Sequence, residues 1–332
     1  MTRAELWARL LEAGLVHGEM PPAREAPTPW PVRVMMGVAG WFGGLLLLGF
    51  AGMTFAMLFR SEAVALPVGV ACCMAALAAF HLAAGSALLS QFGFAVSVAG
   101  QVLIFFGLGE MLGSHSSVEV LLLMAVLEAL LAAGLPNAMH RVFTAAAANV
   151  FLLMAAHVGG FAGAAIAVTA TGAAAIWLAP EWMATAPDVW RPLGYGLALA
   201  LAPMDGSLLA GPQIWSMILR EGPAVLWWGQ AATGLVLCWT AWRIGGGWTG
   251  VGLAAPLAVL GIWAPGISAA VLVVTLGFAN RNRILMGLGM VAFAGYLSHF
   301  YYQLDLTLLA KAGALTGTGL ALLAMRWAVR RA

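Results

Sequence analysis

Apolar positions run almost unbroken from residue 34 to residue 325, and short polar or glycine-proline breaks divide them into twelve stretches. These occupy 34–59, 64–82, 88–112, 118–135, 142–158, 161–178, 193–209, 225–242, 249–264, 267–279, 284–302 and 306–325. Most are long enough, at 1.5 Å per residue, to cross a hydrocarbon core of about 30 Å as a helix. The pattern predicts an all-α, polytopic transmembrane helical bundle of about twelve spans. The shortest stretch, 267–279, would reach only about 20 Å. Fusing it to its predecessor would put Arg243 and Arg281 on opposite sides, so a turn is expected at Pro265 and Gly266. The stretch 193–209 is interrupted by Pro203, Asp205 and Gly206, a kind of break at which transporters often place binding sites.

Ahead of the first span, Thr2 and Glu5 stand three apart before Leu6, Trp7, Leu10 and Leu11. That is the spacing of a capping box opening an amphipathic helix, with Gly14 placed to end it. A proline-rich linker follows, so residues 1–33 read as a cytoplasmic helix and linker and residues 34–332 as the transmembrane domain. The charged, proline-rich start lacks the apolar core of a signal peptide.

Composition agrees: of 332 residues 63% are hydrophobic and 8% charged, against about 45–50% and about 25% in soluble domains. Twelve spans of about 20 residues leave no room for a soluble catalytic domain. The formal charge of +2 gives no reason to expect nucleic acid as a partner. The placement of the charges says more than their sum. With both termini cytoplasmic, twelve of the fifteen basic residues fall on inner loops or ends, and only Arg60, Arg220 and Lys311 fall outside. This is the positive-inside asymmetry, which sets that side toward the cytoplasm. The three cysteines lie within apolar stretches and suggest no disulfide framework.

Glu128 is the carboxylate deepest in a span. Stranding such a group in lipid costs at least about 2.5 kcal/mol on insertion scales, which makes it a candidate proton or cation relay or a neutral interhelical tie. Gln101 and Asn149 sit in the middle of the flanking spans, within prospective reach of it. Ser97 lies one turn from Gln101 on the same face. With Asp205 these residues form a candidate substrate or ion path. Glu110 and His81 lie near span ends, where they can reach water.

A second constellation gathers Tyr296, Ser298, His299, Tyr301, Tyr302, Asp305, Thr307 and Lys311 around the last hairpin. An aromatic belt at the headgroups accounts for the tyrosines. The opposite charges Asp305 and Lys311 suggest a salt bridge closing the hairpin, and the whole group is a candidate partner or ligand site.

The pieces Pro29-Trp30-Pro31-Val32-Arg33 with Gly40-Trp41, the stretch 91–101, and Tyr301-Tyr302-Gln303-Leu304-Asp305-Leu306-Thr307-Leu308-Leu309-Ala310-Lys311 carry a resemblance. They look like the bacterial membrane family known as domain of unknown function 4401. The resemblance implies an inner-membrane protein often encoded beside a protein bearing a GDYXXLXY motif and another multi-pass protein. It brings no activity, cofactor or catalytic residue.

Enzyme signatures are sparse. The sole lysine lacks the glycines of a phosphate-binding loop, and there is neither a His-Glu-x-x-His helix for a metal nor a Gly-x-Ser-x-Gly elbow. Gly266-Ile267-Ser268-Ala269 resembles the serine segment of rhomboid proteases, with His299 as the matching base. The sequence therefore offers three readings. The first is a non-enzymatic subunit of a membrane complex, docking a periplasm-facing partner through 296–311. The second is a secondary transporter or lipid translocator using Glu128. The third is an intramembrane serine enzyme.

Overall fold

The computed structural model describes residues 3–16, 62–82, 87–205 and 227–303, with isolated positions Gly18, Met35, Ala39, Phe42, Leu46, Gly49 and Thr316. Among the described residues every regular element is helical. A helix occupies each of the ten expected stretches between 64 and 302, and the stretch 267–279 is matched residue for residue. The stretches 34–59 and 306–325, together with Asp305 and Lys311, lie outside the described residues apart from those isolated positions.

In chain order the helices are α1 (Arg3–Glu12), α2 (Glu62–Leu82), α3 (Ala87–Met111), α4 (Val118–Gly134), α5 (Ala138–Val158) and α6 (Ala162–Leu178). There follow the short α7 (Pro180–Thr185), then α8 (Pro187–Asp205), α9 (Trp227–Ala241), α10 (Gly247–Trp263), α11 (Ile267–Ala279) and α12 (Arg283–Gln303). Local chemistry sets several of the boundaries. Gly14 ends α1 at φ 68°, where its N–H donates to Leu11 O at 3.0 Å and that of Leu15 to Leu10 O at 3.0 Å, the bonding of a glycine helix stop. Ser117 caps α4 through the N–H of Val120 at 3.3 Å, and Asn137 caps α5 through that of His140 at 2.9 Å. The expected starts that move most are those of α5, at Ala138 rather than 142, and of α8, at Pro187 rather than 193.

Five helical stretches among the described residues are long and apolar enough to cross a bilayer, which marks a membrane protein. One of them, Trp227–Ile262, counts 36 residues but is a hairpin. Gly245 turns the chain at φ 98° and ψ 2°, and α10 returns along α9 so that Gly234 faces Ala258.

The packing is that of a protein in lipid. The main core joins α5, α6 and α8 to α12 and is rich in alanine, including Ala162, Ala165, Ala170, Ala173, Ala198 and Ala269. Large apolar side chains such as Leu123, Val126, Leu130, Val168, Leu235, Val259 and Val291 stand outward. With no hydrophobic drive between helices in a bilayer, small residues at the seams let backbones approach and gain contact. Gly69 and Gly100 set the α2–α3 seam, where a Cβ on Gly100 would lie 2.6 Å from Gly69 O.

Polar side chains tie one end of the bundle together. Asn137 donates to Ser90 Oγ at 2.7 Å, Arg141 to Asp188 O at 2.7 Å, and Asn280 to Trp177 O at 2.9 Å. The amide of Asn282 donates to Tyr195 Oη at 2.7 Å. Arg141, Arg281 and Arg283 thereby share this end. At the opposite end Gly163 packs under Trp228, and Tyr296 lies over Gly266 and donates to Ala202 O.

Candidate functional site

On α3, Ser97 and Gln101 are four residues apart and so share a face. The first turn of α5, set by the Asn137 cap, turns His140 toward that face. Ser97 Oγ lies 2.8 Å from His140 Nε2, and Gln101 Nε2 donates to Ser97 Oγ at 3.2 Å and sits 3.4 Å from His140 Nε2. Cys73 on α2 directs its thiol to the Ser97 carbonyl at 3.9 Å. The rings of Phe80 and Phe94 stand edge-on to the imidazole, at centroid distances of 5.5 and 5.7 Å.

Ser97, Gln101 and His140 are all buried. With Gln101 donating to Ser97 and Ser97 to Nε2, the ring proton sits on Nδ1, which is buried without a hydrogen-bond partner. The hydroxyl and imidazole have the proximity of an activated nucleophile. The phenylalanine edges enclose them, so a substrate bond cannot reach Ser97 in this state. What the trio can do chemically is accept or pass a proton.

Glu128 lies on α4, six residues before its end, roughly 9 Å of helix from the Gly134 terminus. It is 1% exposed, and its Oε2 is buried without a hydrogen-bond partner. One turn earlier Met124 packs with Cys73 and Ile104, and the Glu128 carboxyl lies within electrostatic range of Cys73. A charge held there unpaired is costly. Its helix and that of His140 are consecutive and joined by the turn at 135–137.

The residues expected to gather on Glu128 divide into separate groups. Gln101 bonds to Ser97 and His140. Asn149 donates to Ala145 O at 2.7 Å and accepts from Thr169 at 2.9 Å, and the Thr169 hydroxyl also lies 3.7 Å from Met204 Sδ. Asp205 closes α8 beside Met204; its side chain is not among the described ones.

His140 is the residue that sequence reasoning missed. Beside Arg141 it reads as part of a loop, but the Asn137 cap starts the helix four residues before the expected span. His140, Thr144 and Ala148 then recur on the buried face, and Asn137, a residue type that caps helix starts, was the available signal.

At the far end of α12, Tyr296 engages Ala202 and Gly266 as described. His299 meets Phe300 edge-on at 5.7 Å, and Tyr301 meets Tyr302 at 5.6 Å. Ser298 and Tyr302 are exposed. Ser268 is wholly buried and faces Gly261.

No curated protein and no solved structure matches the chain. Residues 29–332, nearly its whole length, match the family described as Domain of unknown function (DUF4401), and the chain belongs to that family.

Proposed function

We propose that the protein is a membrane carrier that moves its substrate in exchange for, or together with, a proton taken up at Glu128. The observation that supports this is a carboxyl oxygen sealed in the bundle without a hydrogen-bond partner. A group kept at that cost is a functional candidate by default. His140, on the next helix with Nδ1 also unpartnered, is the second proton site, and Ser97 and Gln101 hold its ring in place. Asn149 and Thr169 form a separate polar contact, on the side of α5 that meets α6.

The test is Glu128→Gln in proteoliposomes, with charge movement recorded on a solid-supported membrane while amino acids, sugars, inorganic ions and lipids are offered in turn. A substrate-dependent current in the native protein is expected to vanish in Glu128→Gln and to persist in Glu110→Gln, whose carboxyl is exposed. An unchanged current in Glu128→Gln rejects the assignment. Infrared difference spectra across a pH step offer a substrate-free check: the carboxyl band that responds is expected to be missing from Glu128→Gln.

A second reading draws on Tyr302, which stands 79% exposed at the end of α12. In this reading the segment from Tyr296 through Lys311 docks a periplasm-facing partner, such as the GDYXXLXY-motif protein implied by the family resemblance. Affinity purification is then expected to recover a stoichiometric partner that Asp305→Ala or Lys311→Ala releases. A protein that always purifies alone counts against it.

A further inference from the structure

A cavity of about 460 Å³ opens between α9, α10 and α11, beside the Gly245 turn. Leu237 and Ile244, Leu253 and Leu257, and Val271 and Phe278 supply its walls. Gly245, Gly246 and Gly250 also line it, and their missing side chains leave it open near the turn. The lining has one polar side chain, Thr275, and its hydroxyl donates to Val271 O at 2.7 Å. Nothing in the lining asks for a polar ligand. Phe278 remains 67% exposed at the rim.

Cationic residues stand next to this cavity. Arg243 directly precedes the lining residue Ile244. Arg281 is tied to the lining residue Phe278 by a backbone hydrogen bond of 3.1 Å. Both side chains are exposed, and neither guanidinium forms an ion pair or hydrogen bond among the described residues. Arg281 also holds φ 50°, a left-handed conformation that glycine would adopt at lower cost.

An apolar slot with two exposed arginines in the turns beside its lining residues, neither of them in an ion pair among the described residues, is complementary to an amphiphile with a long chain and an anionic head. Guanidinium groups suit phosphate by geometry as well as charge. We infer that this cavity binds one acyl chain of an anionic phospholipid, whose phosphate is held by Arg243 and Arg281. The site is independent of Glu128, so it stands or falls apart from the carrier reading.

The experiment places photoreactive benzoylphenylalanine at position 278, and as a control at the outward-facing position 291 on α12. The full-length protein is put in nanodiscs of equal parts phosphatidylglycerol and phosphatidylcholine with identical chains, and the adducts are identified by mass. At 278 phosphatidylglycerol adducts are expected to exceed phosphatidylcholine adducts by about fivefold for each arginine engaged, whereas position 291 shows no preference. Arg243→Gln combined with Arg281→Gln is expected to erase the preference at 278. Equal labelling of the two lipids at 278 overturns the assignment. So does an adduct with a peptide from 34–59 or 306–325, or with a second copy, because the occupant is then protein.

Discussion

Ser97 and His140, 43 residues apart in the chain, meet at 2.8 Å inside a box of aromatic edges, and Gln101 depends on the same hydroxyl. Removing one partner leaves the others buried and unsatisfied. Ser97→Ala is therefore expected to cost about 1–3 kcal/mol. His140→Ala costs more, because it also leaves a void between Phe80 and Phe94. Ser97→Ala combined with His140→Phe is expected to cost less than the sum of the single changes. Unfolding in detergent measured over that cycle checks the coupling, and strict additivity would show that the contact is not energetically coupled.

The α2–α3 seam gives a contrast between two kinds of glycine. A Cβ on Gly69 would sit 2.7 Å from Gly100 O, whereas one on Gly287 meets nothing within 4 Å. Gly69→Ala forces backbones apart and is expected to destabilise by about 1–3 kcal/mol. Gly287→Ala, inside α12, is expected to be neutral or to stabilise by up to about 1 kcal/mol. Midpoints of heat unfolding in one detergent rank the two. A Gly69→Ala midpoint at or above that of the native protein would refute the close approach.

Asn282 serves two elements at once. Its Oδ1 accepts the N–H groups of Ile284 and Leu285 at 3.2 Å each, and its amide donates to Tyr195 Oη at 2.7 Å. Asn282→Ala removes both a helix cap and an interhelical tie, and is expected to cost about 1–2 kcal/mol. Tyr195→Phe removes only the tie, at about 0.5–1.5 kcal/mol. Hydrogen exchange at the start of α12 distinguishes them, rising in Asn282→Ala and staying near the native level in Tyr195→Phe.

The shared end of Arg141, Arg243 and Arg283 is a topological prediction. Single cysteines at these positions, in a chain with Cys72, Cys73 and Cys238 replaced, are expected to react with impermeant reagents from one side of the membrane only. A cysteine at Ser114, in the turn between α3 and α4, is expected to react from the other side. Mixed labelling of the arginine positions would break the layout.

Much of this arrangement was legible in the sequence, and the misses have local causes. Glu128 and the Ser97–Gln101 seam stand out because a polar residue in an apolar stretch has few innocent explanations, and both are buried. The turn at Pro265 and Gly266 followed from keeping the arginines together. His140 was obscured because hydropathy starts a span where charge ends, whereas a helix starts where its first N–H groups find a cap. The partners of Asn149 and Gln101 could not be foreseen: sequence gives depth along each helix but not rotation about its axis. Asn149 bonds to Ala145 and Thr169, away from the unpartnered carboxyl of Glu128.

The reversal at Gly245 has a reach beyond the cavity beside it. By hydropathy alone the chain from Trp227 to Ile262 passes as one unbroken rod. Folded at that turn, the chain comes back to the end of the bundle from which α9 set out, where a rod would have left it at the other. Every helix after it inherits that direction. The positive-φ backbone of Gly245 and Gly247 thus decides which end of the bundle receives Arg281 and Arg283, and from which end α12 begins.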